Sequence, residues 1–500
     1  MTNTTEWITR SVSRLRSGAP STDKAPKASK PAADKPLADK QVADGAATKV
    51  PAPRSTHERL QATLRRGNES LSPRALRRLL ADLQDVVAPQ VSELEGGRRA
   101  QVVAGWYGQA EPEERRDMWL LLCEQFAPDA TRFQSARQRY EAAAGTADEG
   151  QAEISLRRAL VSPRTRLMQR FAVFPEGMRF LVDLRAELLP QLKSDKRLVA
   201  LDADLEHLFT TWFDVAFLEL RRLSWDSPAS LIEKLIKYEA VHDIRSWADL
   251  KNRLDSDRRC YGFFHPRLPN EPLIFVEVAL VDRISSSITP LLDEAAAPAD
   301  LKKATTAIFY SISNTQPGLR GVSFGDSLIK HVVETLTAEF PRLRTFATLS
   351  PIPGFRGWLG KNAGAMLERL DDKRRTELGR AVGAELLQAT HLLAAADKAL
   401  VLDARSPVRQ MLMECAAYYL GRELQDGKPV DAVARFHLGN GARVERINWA
   451  GDPSAKGMKQ SFGLMVNYLY DLKRIDKHRN LLAQGKVPVS GDIDSLCRGG

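Results

Sequence analysis

The chain has 500 residues, of which 43% are hydrophobic and 27% are charged, and its formal net charge is +10. This length predicts two or three domains. The charge does not indicate a nucleic-acid partner, because residues 1–60 hold half of the surplus and the rest is spread among acidic residues. The chain also lacks the mixture of basic and aromatic residues that single-strand binders use. A basic surface suits a small polyanionic ligand instead.

The cysteines predict neither a disulfide framework nor a metal cluster, because no two of them form a C-x-x-C pair. They are Cys123, Cys260, Cys415 and Cys497. No apolar run approaches the roughly 20 residues of a membrane span. The N-terminus lacks an apolar secretory segment, and its acidic residues are atypical of an organelle transit peptide. We therefore expect a cytoplasmic protein without membrane contact.

The first 190 residues are predicted to form a tail and an all-helical domain. Residues 1–56 contain few large apolar side chains, so we expect a disordered tail. Residues 57–190 have apolar positions at helical spacing, and Ser72-Pro73 and Ser162-Pro163 are typical helix starts. Helices with one apolar stripe must pack on each other, which predicts a helical bundle.

Strand patterns begin after residue 191, so residues 191–495 are predicted to form an α/β (α+β) domain with a mixed sheet. A helical stretch at 365–425 is expected to be inserted between strands. The Gly439-Asn440-Gly441 sequence predicts a hairpin between the last two strands. The predicted strands are Leu218–Leu223, Cys260–Phe264, Leu273–Val281, Thr306–Ser313, Phe346–Ser350, Ala434–Leu438 and Ala442–Trp449.

A glycine-containing turn follows the strand Thr306–Ser313 and precedes a helix predicted to begin near Gly325. Glycine lets the backbone approach a ligand closely, and free amides at a helix start attract phosphate. This predicts a cradle for a pyrophosphate group; the alternative is an ordinary strand-to-helix turn with nothing bound. The predicted binding residues are Arg320, Gly321, Val322, Ser323, Phe324, Gly325 and Asp326.

Three side chains are candidates for chemistry. Ser350 ends a strand before a stiff Pro-rich segment, which would hold its hydroxyl in place. His437, before the predicted hairpin turn, is a candidate for proton transfer because its pKa is ordinarily near neutral. The alternatives are a serine that merely ends a strand and a structural histidine. Tyr470 is first of all a packing residue and secondly a phenol donor. The other histidines lack metal-ligand spacing, so no metal is expected.

Several motifs, in order, resemble the malonyl-CoA decarboxylase family from about residue 155 onward. They include FLVDLRAEL at 180–188, SPIPGF at 350–355, FHLGNGA at 436–442 and RINW at 446–449. The turn at 320–325 is also similar to the coenzyme A signature of GNAT acyltransferases, with Ser323 in place of the usual first glycine.

The resemblance implies a helical N-terminal domain, a GNAT-like catalytic domain and a homo-oligomer, a tetramer or a dimer of dimers. It implies that Ser350 and His437 are catalytic and that Tyr470 belongs to the site. A glutamate discussed for some family members falls on Ser323, which excludes a general-base carboxylate there. Coenzyme A enters as part of the substrate malonyl-CoA, and no metal, biotin or pyridoxal phosphate is expected.

The implied reaction is decarboxylation of malonyl-CoA to acetyl-CoA through a thioester enolate. In this hypothesis His437 delivers a proton or donates to the thioester oxygen, and Ser350 orients the acyl group as a hydrogen-bond donor. Two other functions remain open. One is a GNAT-type acyltransferase with an amine acceptor, and the other is a non-catalytic helical scaffold that uses residues 60–190.

Overall fold

The structure is a computed structural model that describes residues 54–322 and 328–499. The predicted tail, residues 1–56, lies outside the described residues except for its last three. Ser323, Phe324, Gly325 and Asp326 of the predicted phosphate cradle also lie outside them. Arg54 pairs with Glu69, so the described chain begins within the helical part.

The part of the described chain before the first strand is helical, as predicted. Ser72 caps the helix after it by accepting a hydrogen bond from the backbone N–H of Ala75, and Pro73 occupies the first turn. The helices are α1 (Thr56–Gln61), α2 (Pro73–Val86), α3 (Glu93–Gln109), α4 (Pro112–Gln125), α5 (Ala130–Ala143), α6 (Glu149–Leu160), α7 (Pro163–Phe171), α8 (Gly177–Leu188) and α9 (Val199–Trp212).

Strands and helices alternate in the rest of the described chain. The strands are β1 (Glu219–Leu223), β2 (Arg258–Phe264), β3 (Pro272–Val281), β4 (Thr306–Asn314), β5 (Thr345–Thr348), β6 (Ser350–Pro351), β7 (Leu424–Gln425), β8 (Lys428–Pro429), β9 (Arg443–Asn448) and β10 (Met465–Leu469). The helices are α10 (Ala229–Tyr238), α11 (Trp247–Arg253), α12 (Leu328–Glu339), α13 (Phe355–Glu368), α14 (Asp372–Val382), α15 (Ala389–Ala396), α16 (Pro407–Gly421), α17 (Ala432–Gly439), α18 (Ala455–Ser461), α19 (Ile475–Ala483) and α20 (Gly491–Arg498).

The main sheet is mixed and has the order β1-β2-β3-β4-β5-β10-β6, with β9 paired to β10. Only β4 and β5 pair in parallel among its described ladders. Their register ends at Phe309 opposite Thr348, although β4 continues to Asn314. The pairing therefore stops where β5 ends, at the carboxyl end of the strands, which is where α/β sheets commonly bind ligands. The prediction of a helical region followed by a mixed-sheet α/β domain is confirmed.

The predicted hairpin at Gly439-Asn440-Gly441 is wrong. Residues 432–439 form the helix α17, because Asp431 caps its start by accepting from the N–H groups of Val433 and Ala434. Gly441 ends the helix with a φ of 84°, and its N–H donates to the Leu438 carbonyl. An Asn-Gly pair therefore serves here as a helix C-terminus, which needs a left-handed glycine just as a tight turn does.

Two further differences and agreements between the predicted and the observed elements concern the region of the site. The helices α13 to α16 lie between β6 and β9, which confirms the predicted insertion. The strand β10 was not predicted, although it lies between β5 and β6 in the sheet. Its residue Asn467 is fully buried, and the side-chain amide donates to the Thr348 and Ser285 carbonyls. A polar residue in mid-strand obscured the apolar pattern.

Candidate functional site

Ser350 lies two residues after the end of β5, on the short strand β6. Its Oγ donates a hydrogen bond of 2.8 Å to Thr348 Oγ1, and the same Thr348 oxygen accepts from the Tyr468 backbone N–H at 3.1 Å. The serine is buried, with 6% of its surface exposed. The hydroxyl is thus held by a side chain that is itself fixed to the neighbouring strand β10.

His437 lies in the last turn of α17 and joins Ser350 to Tyr470. Its Nε2 lies 3.3 Å from Ser350 Oγ, and its Nδ1 lies 2.8 Å from the Tyr470 hydroxyl. The imidazole also stacks on the Tyr468 ring, with 4.7 Å between ring centroids and 28° between ring planes. The structure therefore brings the three predicted residues together in one hydrogen-bonded chain.

Burial controls the electrostatics of this chain. A helix C-terminus by itself favours a cation, but burial of the imidazole outweighs that effect and lowers the pKa of His437 to about 3. Burial likewise raises the pKa of Tyr470 well above its usual value. Near neutral pH the histidine is therefore neutral, so one ring nitrogen donates a hydrogen bond while the other accepts one.

Asp431 connects the backbone segments that carry the serine and the histidine. One carboxylate oxygen caps α17, as described above, and the other accepts from the Gly354 N–H at 3.4 Å and from the Tyr419 hydroxyl at 3.3 Å. Burial raises the pKa of this carboxyl, while the backbone hydrogen bonds oppose the shift. Gly354 belongs to the Pro-rich segment after Ser350, so one buried side chain ties that segment to the His437 helix.

A buried arginine of the helical part of the protein holds the backbone at the start of the predicted phosphate-binding turn. Arg185 of α8 is almost fully buried and donates to the carbonyls of Gly318 and Arg320 at 2.8 and 2.9 Å. Gly321 has a φ of 84°, which favours glycine, and a Cβ added there would meet no atom of the described residues within 4 Å. None of the described residues therefore blocks the approach of a ligand to the Gly321 backbone, whereas Val322 is buried.

A cavity of about 170 Å³ adjoins the start of α12 and reaches Tyr470. Its lining is partly apolar and carries two basic side chains and one acidic one. The lining residues are Ile329, Lys330, Val333, Asn440, Tyr470, Leu472, Ile475, Asp476 and Arg479. Tyr470 is the member of the hydrogen-bonded chain that lines this cavity. His437 contacts the Tyr470 hydroxyl, and Ser350 contacts His437.

Of the predicted cradle, the structure places Arg320, Gly321 and Val322 in the turn before α12, and the other four residues are not described. Inspection of the sequence missed Thr348, Asp431, Asn440 and Arg185. Three of these lie within or beside the motifs that were singled out: Thr348 precedes SPIPGF, Asn440 belongs to FHLGNGA, and Arg185 to FLVDLRAEL. Asp431 carries a local signal, an acidic residue just before an apolar helical stretch.

Two further findings concern the described residues only. They contain no group of three or more His, Cys, Asp or Glu side chains arranged to hold a metal ion. Helices in the described ranges are all too short or too polar to cross a membrane.

The sequence and structure are similar to those of known proteins. The sequence models of the malonyl-CoA decarboxylase N-terminal and C-terminal domains match residues 126–213 and 216–499. Mitochondrial malonyl-CoA decarboxylase of Rattus norvegicus is 37% identical over 423 residues, which are 80% of this chain and 85% of that protein.

Crystal structures of malonyl-CoA decarboxylases agree over a similar extent. The protein from Rhodopseudomonas palustris is 40% identical, with a TM-score of 0.72 over 84% of this chain and 99% of that one. The protein from Cupriavidus metallidurans is 42% identical, with a TM-score of 0.68 over 85% and 100% of the two chains. The chain belongs to the malonyl-CoA decarboxylase family, which confirms the resemblance seen in the motifs.

Proposed function

We propose that this protein is a carboxy-lyase that converts malonyl-CoA to acetyl-CoA and carbon dioxide. Its family relatives support this activity. The observation that carries the proposal is the hydrogen-bonded chain Ser350–His437–Tyr470, which ends at a cavity beside the first turn of α12. Such a chain combines hydrogen-bond donors with a route for a proton, and both are needed at an acyl thioester.

The chemistry needs a place for one electron pair and a source of one proton. The bond between the α-carbon and the carboxylate breaks, and its electron pair moves onto the thioester as an enolate. Carbon dioxide leaves, and the α-carbon then takes up a proton to give acetyl-CoA. The thioester itself accepts the electrons, so the proposal assigns no metal, biotin or pyridoxal phosphate to the step. Donors aimed at the developing oxyanion are commonly the largest contribution in such reactions.

We assign the roles within the chain from its geometry. Both nitrogens of His437 are already engaged, and burial keeps the ring neutral. Because the pKa of His437 is low, the imidazole does not hold a second proton. His437 therefore orients and polarises the two hydroxyls and passes a proton between them. Tyr470, which lines the cavity, meets the acyl thioester, and Ser350 holds the other ring nitrogen. No acyl-enzyme is required, so Ser350 need not act as a nucleophile.

We also propose that the turn Arg320–Asp326 binds the phosphates of coenzyme A. The open backbone at Gly321 supports this assignment, and so does Lys330, a cation on the first turn of α12 that lines the adjoining cavity. Backbone N–H groups at a helix start attract phosphate in this way.

All four cysteines are free, which supports the proposed cytoplasmic location. A homo-oligomer remains a proposal.

The test is incubation of the protein with malonyl-CoA and no acceptor. Release of carbon dioxide together with an equal amount of acetyl-CoA is the expected result. An acyltransferase would need an added amine and would release coenzyme A. A helical scaffold would bind neither thioester in a calorimetric titration. Intact malonyl-CoA after prolonged incubation with folded protein would reject the proposal.

A further inference from the structure

We propose that Asn440 is a substrate-binding residue whose Oδ1 accepts a hydrogen bond from the amide N–H nearer the sulfur in the coenzyme A thiol arm. This inference rests on the proposed function and extends it to the part of the substrate between the phosphates and the acyl group.

The orientation of the Asn440 side chain is defined by its own donor. Nδ2 donates a hydrogen bond of 2.8 Å to the Phe436 carbonyl in the last turn of α17. That contact identifies which end of the amide is the nitrogen, because a carbonyl oxygen can only accept. Oδ1 therefore faces the other way, where it is buried and has no hydrogen-bond partner among the described residues. Only 9% of the residue's surface is exposed.

A buried acceptor without a partner is rare in folded proteins and calls for an explanation. Asn440 lines the cavity that Tyr470 and Lys330 also line. It is the C-cap residue directly after α17, three positions after His437. Asn440 is thus carried by the same short segment as the imidazole and borders the same cavity as Tyr470.

The residues that line the cavity indicate which chemical group of a ligand would bind beside Asn440. Oδ1 can be satisfied only by a donor, and neither a malonyl thioester nor an ionised phosphate carries an N–H. Ile329, Val333, Leu472 and Ile475 supply apolar walls to the cavity. An amide N–H flanked by aliphatic carbon fits both the unpaired acceptor and the apolar walls. The thiol arm of coenzyme A has this composition, and it must run between phosphates held at the start of α12 and an acyl group held at Tyr470.

The kinetic test compares two small malonyl thioesters in the unmodified enzyme and in Asn440→Leu. One is the N-acetylcysteamine thioester, which retains an amide N–H, and the other is the S-pentyl thioester, which lacks it. Leu has a similar volume and no acceptor. We expect the ratio of kcat/KM values, amide over non-amide, to fall about tenfold in Asn440→Leu, the usual effect of losing one hydrogen bond. An unchanged ratio overturns the proposal, because loss of the bond to Phe436 alone would slow both thioesters equally.

The matched control is Asn440→Asp, which retains an acceptor at the cavity but loses the donor to Phe436. We expect it to keep the amide preference; loss of the preference in both variants would overturn the assignment.

If a variant fails to fold or the small thioesters react too slowly, a crystal structure of the unmodified protein with acetyl-CoA decides. The expected distance from Asn440 Oδ1 to the amide nitrogen nearer the sulfur is about 3 Å, and an arm that passes elsewhere overturns the proposal. Carbon dioxide release from malonyl-CoA is measured separately, so failure of the proposed reaction is distinguishable from failure of this contact.

Discussion

Ser350 Oγ and His437 Nε2 lie 3.3 Å apart, although 87 positions separate the two residues in the chain. The serine is held by Thr348 at the end of β5, and the histidine is held by the C-terminal turn of α17. Their contact therefore depends on how the helical insertion α13 to α16 returns the chain to the sheet.

Replacing either member of this pair is expected to slow decarboxylation without unfolding the protein. We expect Ser350→Ala to lower kcat by about 10²–10³, because the hydroxyl that holds His437 Nε2 is lost and with it the orientation of the donor that Tyr470 directs at the developing oxyanion. His437→Asn should lower kcat at least as much, because it disconnects Ser350 from Tyr470. Steady-state rates and thermal melting check this. Ser155→Ala is the control, since that hydroxyl is exposed on α6, and normal turnover in Ser350→Ala would contradict the assignment.

Tyr470 and Tyr468 provide a comparison between two phenols on one strand segment. Tyr470→Phe removes the hydroxyl that contacts His437 Nδ1 from a residue that lines the cavity, so we expect kcat to fall about 10²-fold. Tyr468→Phe keeps the ring that stacks on His437 and removes a buried hydroxyl that has no hydrogen-bond partner in the described part of the chain. That change should leave kcat near normal and should not lower the melting temperature. Equal loss of activity in both variants would mean that the Tyr470 hydroxyl has no special role.

The buried histidine predicts how stability depends on pH. The pKa of His437 falls from its usual 6.5 to about 3 in the folded protein, so between these values the unfolded chain binds more protons than the folded one. The free energy of unfolding should therefore decrease as the pH falls from about 6.5 toward 3.

His437→Asn should remove this contribution and reduce the slope by up to about 1.4 kcal/mol per pH unit. Denaturant titrations between pH 7 and pH 4 measure it. The buried His242, whose pKa is also lowered, to about 4, is present in both proteins and cancels in the difference. Equal slopes would show that the folded imidazole titrates normally.

Much of the fold could be predicted from the amino-acid sequence, because helix starts, apolar spacing and strand-forming runs are local features. Ser-Pro starts and helical apolar spacing located the N-terminal helices, and β-rich runs located β1 to β5. The errors occurred where one local pattern serves two structures. Gly439-Asn440-Gly441 fits a tight turn and a helix end equally well, and the cap from Asp431 decides for the helix. Asn467 interrupted the apolar run of β10, although its amide is satisfied by two carbonyls that are remote in sequence.

The candidate site was predictable in its members but not in its arrangement. Ser350, His437 and Tyr470 lie in motifs that resemble a known family, yet nothing local indicates that the imidazole bridges the two hydroxyls. Thr348 and Asn440 are ordinary in their local sequence, and only the positions of their oxygens in space give them a place at the site. Contacts of this kind depend on packing between distant segments, which periodicity does not encode.

Asp431 is expected to support catalysis by holding the Ser350 and His437 segments together. Asn is as good a helix cap as Asp, so Asp431→Asn should keep α17 but place an N–H opposite the Gly354 N–H. We expect kcat to fall about tenfold, with KM within about twofold, because a loss of alignment weakens the transition state more than the ground state. Asp371→Asn is the control, since Asp371 caps α14 in the same way at an exposed position. A rise in KM at unchanged kcat would contradict a positioning role.

Arg185 is expected to affect substrate binding through the turn that it holds. Arg185→Lys keeps the positive charge, but its single nitrogen cannot hold Asp202 and the Gly318 and Arg320 carbonyls together, as the guanidinium does through two nitrogens. The turn that carries Gly321 should loosen, and we expect KM for malonyl-CoA to rise about tenfold while kcat changes little.

Arg164 allows a matched control for this change. It is also buried, pairs with an aspartate, Asp204, and donates to two backbone carbonyls, those of Leu122 and Cys123. Arg164→Lys should therefore lower stability by a similar amount, yet leave KM unchanged because none of its partners belongs to the turn. If both variants raise KM equally, the effect reflects general loosening of the helical part. If only Arg185→Lys does, that arginine couples the helical region to the substrate-binding turn.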